Sequence, residues 1–206
     1  MTLKFISEIF NGFLNYKMSQ AFTLESAKNL KTQTDKYMCK LKDNKYALQF
    51  LRFEIKDNDT NEKFYVHEQD PLPNAEMLIN DDDYDAETLK AFDQMRMINY
   101  TFSKTFLNAK AISSLLLFKI GDLPVTNLTI VDHFFYKDKI IKSFEFKFPF
   151  CAPNATNEWQ YIYDFPKLEE DLKASMGSEP GSTRSETFFF VGNDLILHNK
   201  ADYKFE

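Results

Sequence analysis

From Phe144 to Phe150 a phenylalanine falls at every second position, with Ser143, Glu145, Lys147 and Pro149 beside and between them. Successive side chains on a β-strand point to opposite faces, so this stretch reads as a strand with one wall of phenyl rings and one mostly polar wall. Trp159, Tyr161, Tyr163 and Phe165 repeat the alternation, and Phe188, Phe189 and Phe190 form a third apolar run. Rings in such numbers either fill a core or line an apolar hole. Taken alone, the pattern more often means core.

The rest of the chain supplies short strands with turns between them. Strand patterns begin near Lys45. The segment from Lys56 to Lys63 is rich in Asp and Asn, which form turns, and Lys63–Val66 then returns as a hairpin partner. Further strands are predicted over Met97–Phe102, Ser113–Ile120, Leu128–Tyr136, Lys139–Phe150 and Trp159–Tyr163. A last hairpin joins Thr187–Val191 to Leu195–His198 around Gly192, Asn193 and Asp194. Short helices are expected over Ala86–Met95 and Leu168–Met176, the second stopped by Gly177. This spacing indicates an all-β fold, an immunoglobulin-like β-sandwich.

The sandwich is placed at residues 44–206, and residues 1–43 are read as a helical or partly disordered extension. Leu3, Ile6, Phe10, Phe13, Leu14 and Met18 make one apolar stripe over residues 1–22. That stripe fits a helix docked on its own domain, or one that faces a partner or a membrane. A second, polar helix is predicted over Thr23–Lys42, with Thr23 as its cap.

Composition excludes several classes. The 206 residues hold only 5 glycines, too few for an obvious phosphate-cradling loop, and the net charge is −6 without a basic cluster, which argues against nucleic acid. No apolar run of 18 residues is present, so no stable membrane insertion is expected. Cys39 and Cys151 read as reduced thiols, and the first ten residues lack a secretion pattern, so a cytoplasmic protein is expected. His67, His133 and His198 are not paired at metal-ligand spacing. The acidic run from Asp81 to Glu87 fails as a calcium loop, with Ala86 where glycine and Phe92 where glutamate would be needed. No nucleophile elbow or phosphate loop is found. The reading is a non-enzyme with neither cofactor nor metal.

Several blocks resemble one family. They are Gly121-Asp122-Leu123-Pro124-Val125-Thr126-Asn127, Lys142-Ser143-Phe144-Glu145-Phe146-Lys147-Phe148, Phe150-Cys151-Ala152-Pro153, Ile162-Tyr163-Asp164-Phe165-Pro166 and His198-Asn199-Lys200-Ala201-Asp202-Tyr203. In this order they resemble the uncoordinated-119 family of lipid-binding chaperones, similar in fold to the phosphodiesterase delta subunit and the Rho GDP-dissociation inhibitor. The likeness is good from Tyr100 to Phe205 and weaker before it. It implies a monomeric carrier that holds the N-terminal myristoyl group of a cargo protein between two sheets. It also implies cytosolic transport toward membranes or cilia, with release by an Arf-like small GTPase in its GTP state.

By motif position, the resemblance assigns Phe53, Tyr100, Phe106, Phe144, Phe146, Tyr163, Phe165, Phe189 and Tyr203 to the lipid-pocket wall, with Phe50 as an addition. Asp132 and Tyr161 are assigned to the mouth that reads the cargo peptide. Asp132 stands where the family has a glutamate, Tyr161 where it has histidine and Phe189 where it has tyrosine. Two alternatives stay open at this point: a carrier of prenyl groups, and a protein-interaction scaffold with a filled core.

Overall fold

The computed structural model describes residues 22–71 and 83–206. The apolar stripe expected over residues 1–22, Leu3 to Met18, lies outside these residues, as do Asp81 and Asp82. Among the described residues nine strands make two sheets. Strands β1 (Gln49–Asp57), β2 (Lys63–Glu68), β4 (Ala111–Lys119) and β7 (Thr156–Asp164) form the first, in the order β2-β1-β4-β7. Strands β3 (Met97–Phe102), β5 (Val125–Tyr136), β6 (Lys139–Cys151), β8 (Thr183–Val191) and β9 (Asp194–Phe205) form the second, in the order β3-β9-β8-β5-β6. All neighbours run antiparallel except β3 and β9. The result is the all-β sandwich.

Local chemistry explains the turns. Asp57 Oδ1 accepts from the backbone N–H groups of Asp59 and Thr60, both at 2.8 Å, and so closes the β1–β2 turn. Gly192 takes φ +62° in the two-residue β8–β9 turn, a conformation glycine adopts without steric penalty. Gly121 N–H donates to Tyr46 O at 2.8 Å, and a Cβ there would sit 3.0 Å from the Ala47 methyl. Close approach therefore requires glycine at 121 and pins residues 46–48 against the β4–β5 connection.

The phenyl wall of β6 meets the aromatic row of β7 across the sandwich edge. Phe148 faces Trp159 at 5.2 Å between ring centroids, Phe146 faces Tyr161 at 4.4 Å, and Phe144 faces Tyr163 at 4.5 Å. The alternation fails at its end. Phe150 is 54% exposed and Cys151 is fully buried. The paired strand changes phase at the same level: Leu128 and Val125 are both fully buried, and Asn127 between them has φ +55°.

Three expectations change at their boundaries. The polar helix over Thr23–Lys42 is a single turn, α1 (Leu24–Lys28), capped by Thr23 Oγ1 accepting from Ser26 N–H at 3.1 Å. From Gln33 onward the chain bonds instead to residues distant in sequence, on and beside the five-stranded sheet, so tertiary contacts override weak helix propensity. Helix α2 (Ala86–Met95) forms as expected, with Asp85 as its cap. Helix α3 (Glu170–Ser178) runs through Gly177 and one residue past it. Strand β9 is 12 residues long rather than the four expected, because its polar outer side chains are covered by residues 34–39.

Candidate functional site

The space between the sheets is solid at both ends and hollow in the middle. At one end Phe102, Phe106, Phe134, Phe165 and Phe205 interlock, with centroid distances of 4.7 Å for Phe102–Phe106 and 4.9 Å for Phe106–Phe165. At the other end Phe118, Ile120, Val125, Leu128 and Ile196 are fully buried. Between them lies a cavity of about 830 Å³.

The cavity has two chemical halves. Phe50 and Phe53 from β1, Leu116 from β4, Ile130 from β5, Phe189 from β8 and Leu197 from β9 make an apolar wall. Phe146 joins them from β6. The other half carries Asp132 with Tyr100, Tyr161, Tyr163 and Tyr203, and the hydroxyls of Ser114, Ser185 and Thr187. Strand alternation explains the grouping: Ser185 and Thr187 share the inward face with Phe189, while Phe188 and Phe190 turn outward. The lining reaches the surface through the exposed residues His67, Gln69 and Asn99, beside Leu41, Asn44 and Arg96.

The polar half is partly self-satisfied. Thr187 Oγ1 donates to Asp132 Oδ1 at 2.8 Å, and the Ser185 and Tyr203 hydroxyls lie 3.1 Å apart. Ser114 and Tyr163 hydroxyls are a longer 3.5 Å apart. Burial pushes the Asp132 carboxyl up to about 6, and the Thr187 hydrogen bond opposes that only in part. Burial also raises Tyr100, Tyr161, Tyr163 and Tyr203 well above the ordinary phenol range, so these remain neutral hydrogen-bonding groups at any physiological pH. Asp132 is thus a carboxylate on a cavity wall whose described surroundings offer it hydroxyls and no counter-charge. A ligand that brings an N–H donor to it improves its situation.

Among the residues assigned to the wall from the sequence, Phe53, Tyr100, Phe146, Tyr163, Phe189 and Tyr203 line the cavity, and so do Phe50, Asp132 and Tyr161. Phe106 and Phe165 lie in the solid aromatic end, outside the lining. Phe144 sits beside the cavity in the β6–β7 edge, stacked 6.0 Å from Phe146. The sequence reading passed over Leu116, Ile130, Leu197, Ser185 and Thr187. Strand phase counted from Asp132 on β5 finds Ile130, from Phe189 on β8 finds Ser185 and Thr187, and from Tyr203 on β9 finds Leu197; Leu116 has no assigned residue on its own strand to count from. Among the described residues no group of three or more His, Cys, Asp or Glu could hold a metal ion.

Comparison with known proteins agrees with this architecture. The family model described as GMP-PDE, delta subunit, matches residues 42–205. The zebrafish (Danio rerio) protein unc-119 homolog B is 37% identical over 188 residues, covering 91% of this chain and 75% of that protein. The chain belongs to the unc-119 family. Protein unc-119 of Caenorhabditis elegans is 34% identical over 174 residues, covering 84% of this chain and 74% of its own length. The human unc-119 homolog B is 34% identical over 184 residues, covering 88% and 70% respectively. Membership, with a hollow sandwich, fits a lipid-binding trafficking carrier and is consistent with a binding protein rather than a catalyst. No helix among the described residues is long and apolar enough to cross a membrane.

Proposed function

We propose that this unc-119 relative sequesters the N-terminal myristoyl group of cargo proteins in the intersheet cavity and carries them through the cytosol toward membranes or cilia. An Arf-like GTPase in its GTP state releases the cargo. The observation that carries the reading is the hollow itself. A sandwich ordinarily packs its interior, and unfilled space sacrifices packing energy. A cavity of about 830 Å³ falls within the ~300–1,000 Å³ range of small-ligand sites.

The energetics support an acyl occupant. Each buried CH₂ contributes about 0.8 kcal/mol, so a fully enclosed 14-carbon chain gains on the order of 10 kcal/mol. A single myristoyl chain binds a bilayer with an association constant of only ~10⁴ M⁻¹, so an enclosed apolar site competes well. The acyl chain lies against Leu116, Ile130, Phe189 and Leu197. The first peptide bonds of the cargo lie against the polar half, where Asp132 accepts the amide N–H of the acylated glycine.

The test is an anisotropy titration with a fluorescent N-myristoylated peptide that begins with glycine, beside its unacylated and farnesylated forms. Binding that requires the myristoyl group supports the reading, and preference for the farnesylated form replaces it with a prenyl carrier. Equal binding with and without lipid abandons it for a scaffold. Adding a GTP-loaded Arf-like GTPase should accelerate myristoyl-peptide release, and bound peptide should weaken GTPase binding by the same equilibrium factor.

A further inference from the structure

The cavity mouth is built partly by residues whose anchorage lies on the opposite side of the five-stranded sheet. Leu41, Asn44 and Leu48 line the mouth from the segment that leads into β1. Arg96, which ends helix α2 just before β3, and Lys200 of β9 also line it. Leu41 belongs to the strap formed by residues 22–43, which crosses the outer face of β5, β8 and β9, Arg96 and Lys200 bond to that strap, and Asn44 follows it directly in the chain and holds Leu48.

The strap is seated by apolar packing and by a buried polar cluster. Ala27, fully buried, packs with Val131, Phe188 and Phe190, and the Phe22 ring stacks 5.1 Å from Phe188. His133 Nε2 donates to Ala27 O at 2.8 Å, with Ser143 Oγ 2.7 Å from its Nδ1. At the strap's centre Glu186 is 1% exposed. It accepts from Thr34 N–H and Thr34 Oγ1, both at 2.9 Å, and lies 3.3 Å from Lys200 Nζ and 3.4 Å from His198 Nε2. Met38 N–H donates to His198 Nδ1 at 3.1 Å, which leaves the imidazole proton on the nitrogen that faces Glu186.

Two cations tie this cluster to the mouth. Lys200 Nζ donates to Thr34 O as well as pairing with Glu186. The Arg96 guanidinium stacks 4.0 Å over the Tyr37 ring and donates to Cys39 O at 3.0 Å, and it pairs with Asp93. Each of these side chains has one set of partners on the strap and one surface on the cavity.

We propose that the strap, seated through Glu186 and Thr34, is a positioning device for the cavity mouth, so that cargo affinity is set partly from a face of the sheet no ligand touches. Glu186 fixes Lys200 and the strap's middle; the strap then holds Arg96 and residues 41–44 in place around the entrance. Cargo in the mouth and a seated strap must stabilise each other to the same degree. The inference rests on the proposal that the cavity holds acylated cargo.

The full chain, Thr34→Val and Thr34→Ser would be compared with the same fluorescent myristoylated peptide. Valine keeps the shape of threonine and removes the hydroxyl that bonds Glu186; serine restores it. Dissociation rates are read by displacement, and hydrogen exchange is read at the Thr34 and Met38 amides with and without peptide. Peptide should slow exchange at both amides by roughly fivefold or more, and Thr34→Val should release peptide roughly fivefold faster, the lower end of ordinary coupling between linked sites. Thr34→Ser should match the parent. If the parent binds peptide but either its strap exchange ignores the peptide or Thr34→Val releases it at the parent rate, the positioning role is overturned alone. A parent that binds no acyl peptide overturns this inference together with the carrier reading.

Discussion

The aromatic end of the sandwich and its hollow middle are made of the same kinds of residue on the same strands, yet one is solid and the other open. Phe102 on β3 touches Phe106 at 4.7 Å and Tyr203 at 5.5 Å between centroids, so its ring is enclosed on all sides. Two residues earlier on β3, Tyr100 lines the cavity. What separates the two regions is the mixture. The solid end is almost wholly phenyl and aliphatic, whereas the middle interleaves Ser114, Asp132, Ser185 and Thr187 with its rings. Short polar side chains leave volume that phenyl groups cannot reach, and buried polar atoms resist filling by hydrocarbon. An aromatic row is therefore core or wall according to the size and polarity of what faces it across the sandwich.

Substitutions at matched positions can sharpen or break that contrast. The largest effect belongs to the solid end. Phe102→Ala should destabilise the fold by about 3–5 kcal/mol, with a fall in melting temperature on the order of 10 °C. A loss below about 1 kcal/mol would mean that this end is not tightly packed.

In the hollow, Asp132→Asn should raise stability at pH 7, by at most about 2–3 kcal/mol, while weakening the acyl peptide. The Asp132 carboxyl rises from 3.8 to about 6 on folding, so its ionisation opposes folding. That penalty is absent below about pH 4, develops as pH rises through 6, and is complete at 7. Thermal melts from pH 7 down to pH 5 should therefore narrow the gap between the parent and Asp132→Asn. A gap independent of pH would remove the buried charge from the explanation.

Overpacking gives a third contrast. Leu107→Trp in the solid end should lose about 1–3 kcal/mol, since extra volume there forces strain. Leu116→Trp in the cavity should leave the melting temperature unchanged or higher and abolish acyl-peptide binding. Equal destabilisation at both positions would erase the distinction between filled and open regions. The smallest effect is expected at Phe150→Ser, within about 0.5 kcal/mol of the parent, because that ring points to solvent despite its place in the phenylalanine row.

Much of the sandwich was legible because strand alternation is written directly in residue order. Phe144, Phe146 and Phe148 could be placed on one alternating strand, and Trp159, Tyr161 and Tyr163 on another, before any coordinates; that the two rows meet could not be foreseen. Nor could the flip at Phe150, since nothing in the phenylalanine row itself marks where the buried phase passes to Cys151. The strap was misread as a helix for a related reason. Thr34 is ordered by Glu186, 152 positions away, and nothing local to Thr23–Lys42 announces that bond. The length of β9 was hidden by the same contact, because polar residues such as His198 and Lys200 read as surface until something covers them. Phe106 and Phe165 fall outside the cavity lining, while Leu116, Ile130 and Leu197 line it. Residue order supplies the phase of a side chain but not the width of the gap it faces.

The proposed intersheet lipid site can be tested directly. A peptide carrying a ¹³C-labelled myristoyl group, bound to the full chain, would be searched for nuclear Overhauser contacts with protein methyl groups. Contacts from the acyl chain to Leu116, Ile130 and Leu197 are expected, with none to the exposed Ile162 side chain. Contacts confined to surface residues, with those three methyl-bearing side chains silent, would contradict an intersheet lipid site.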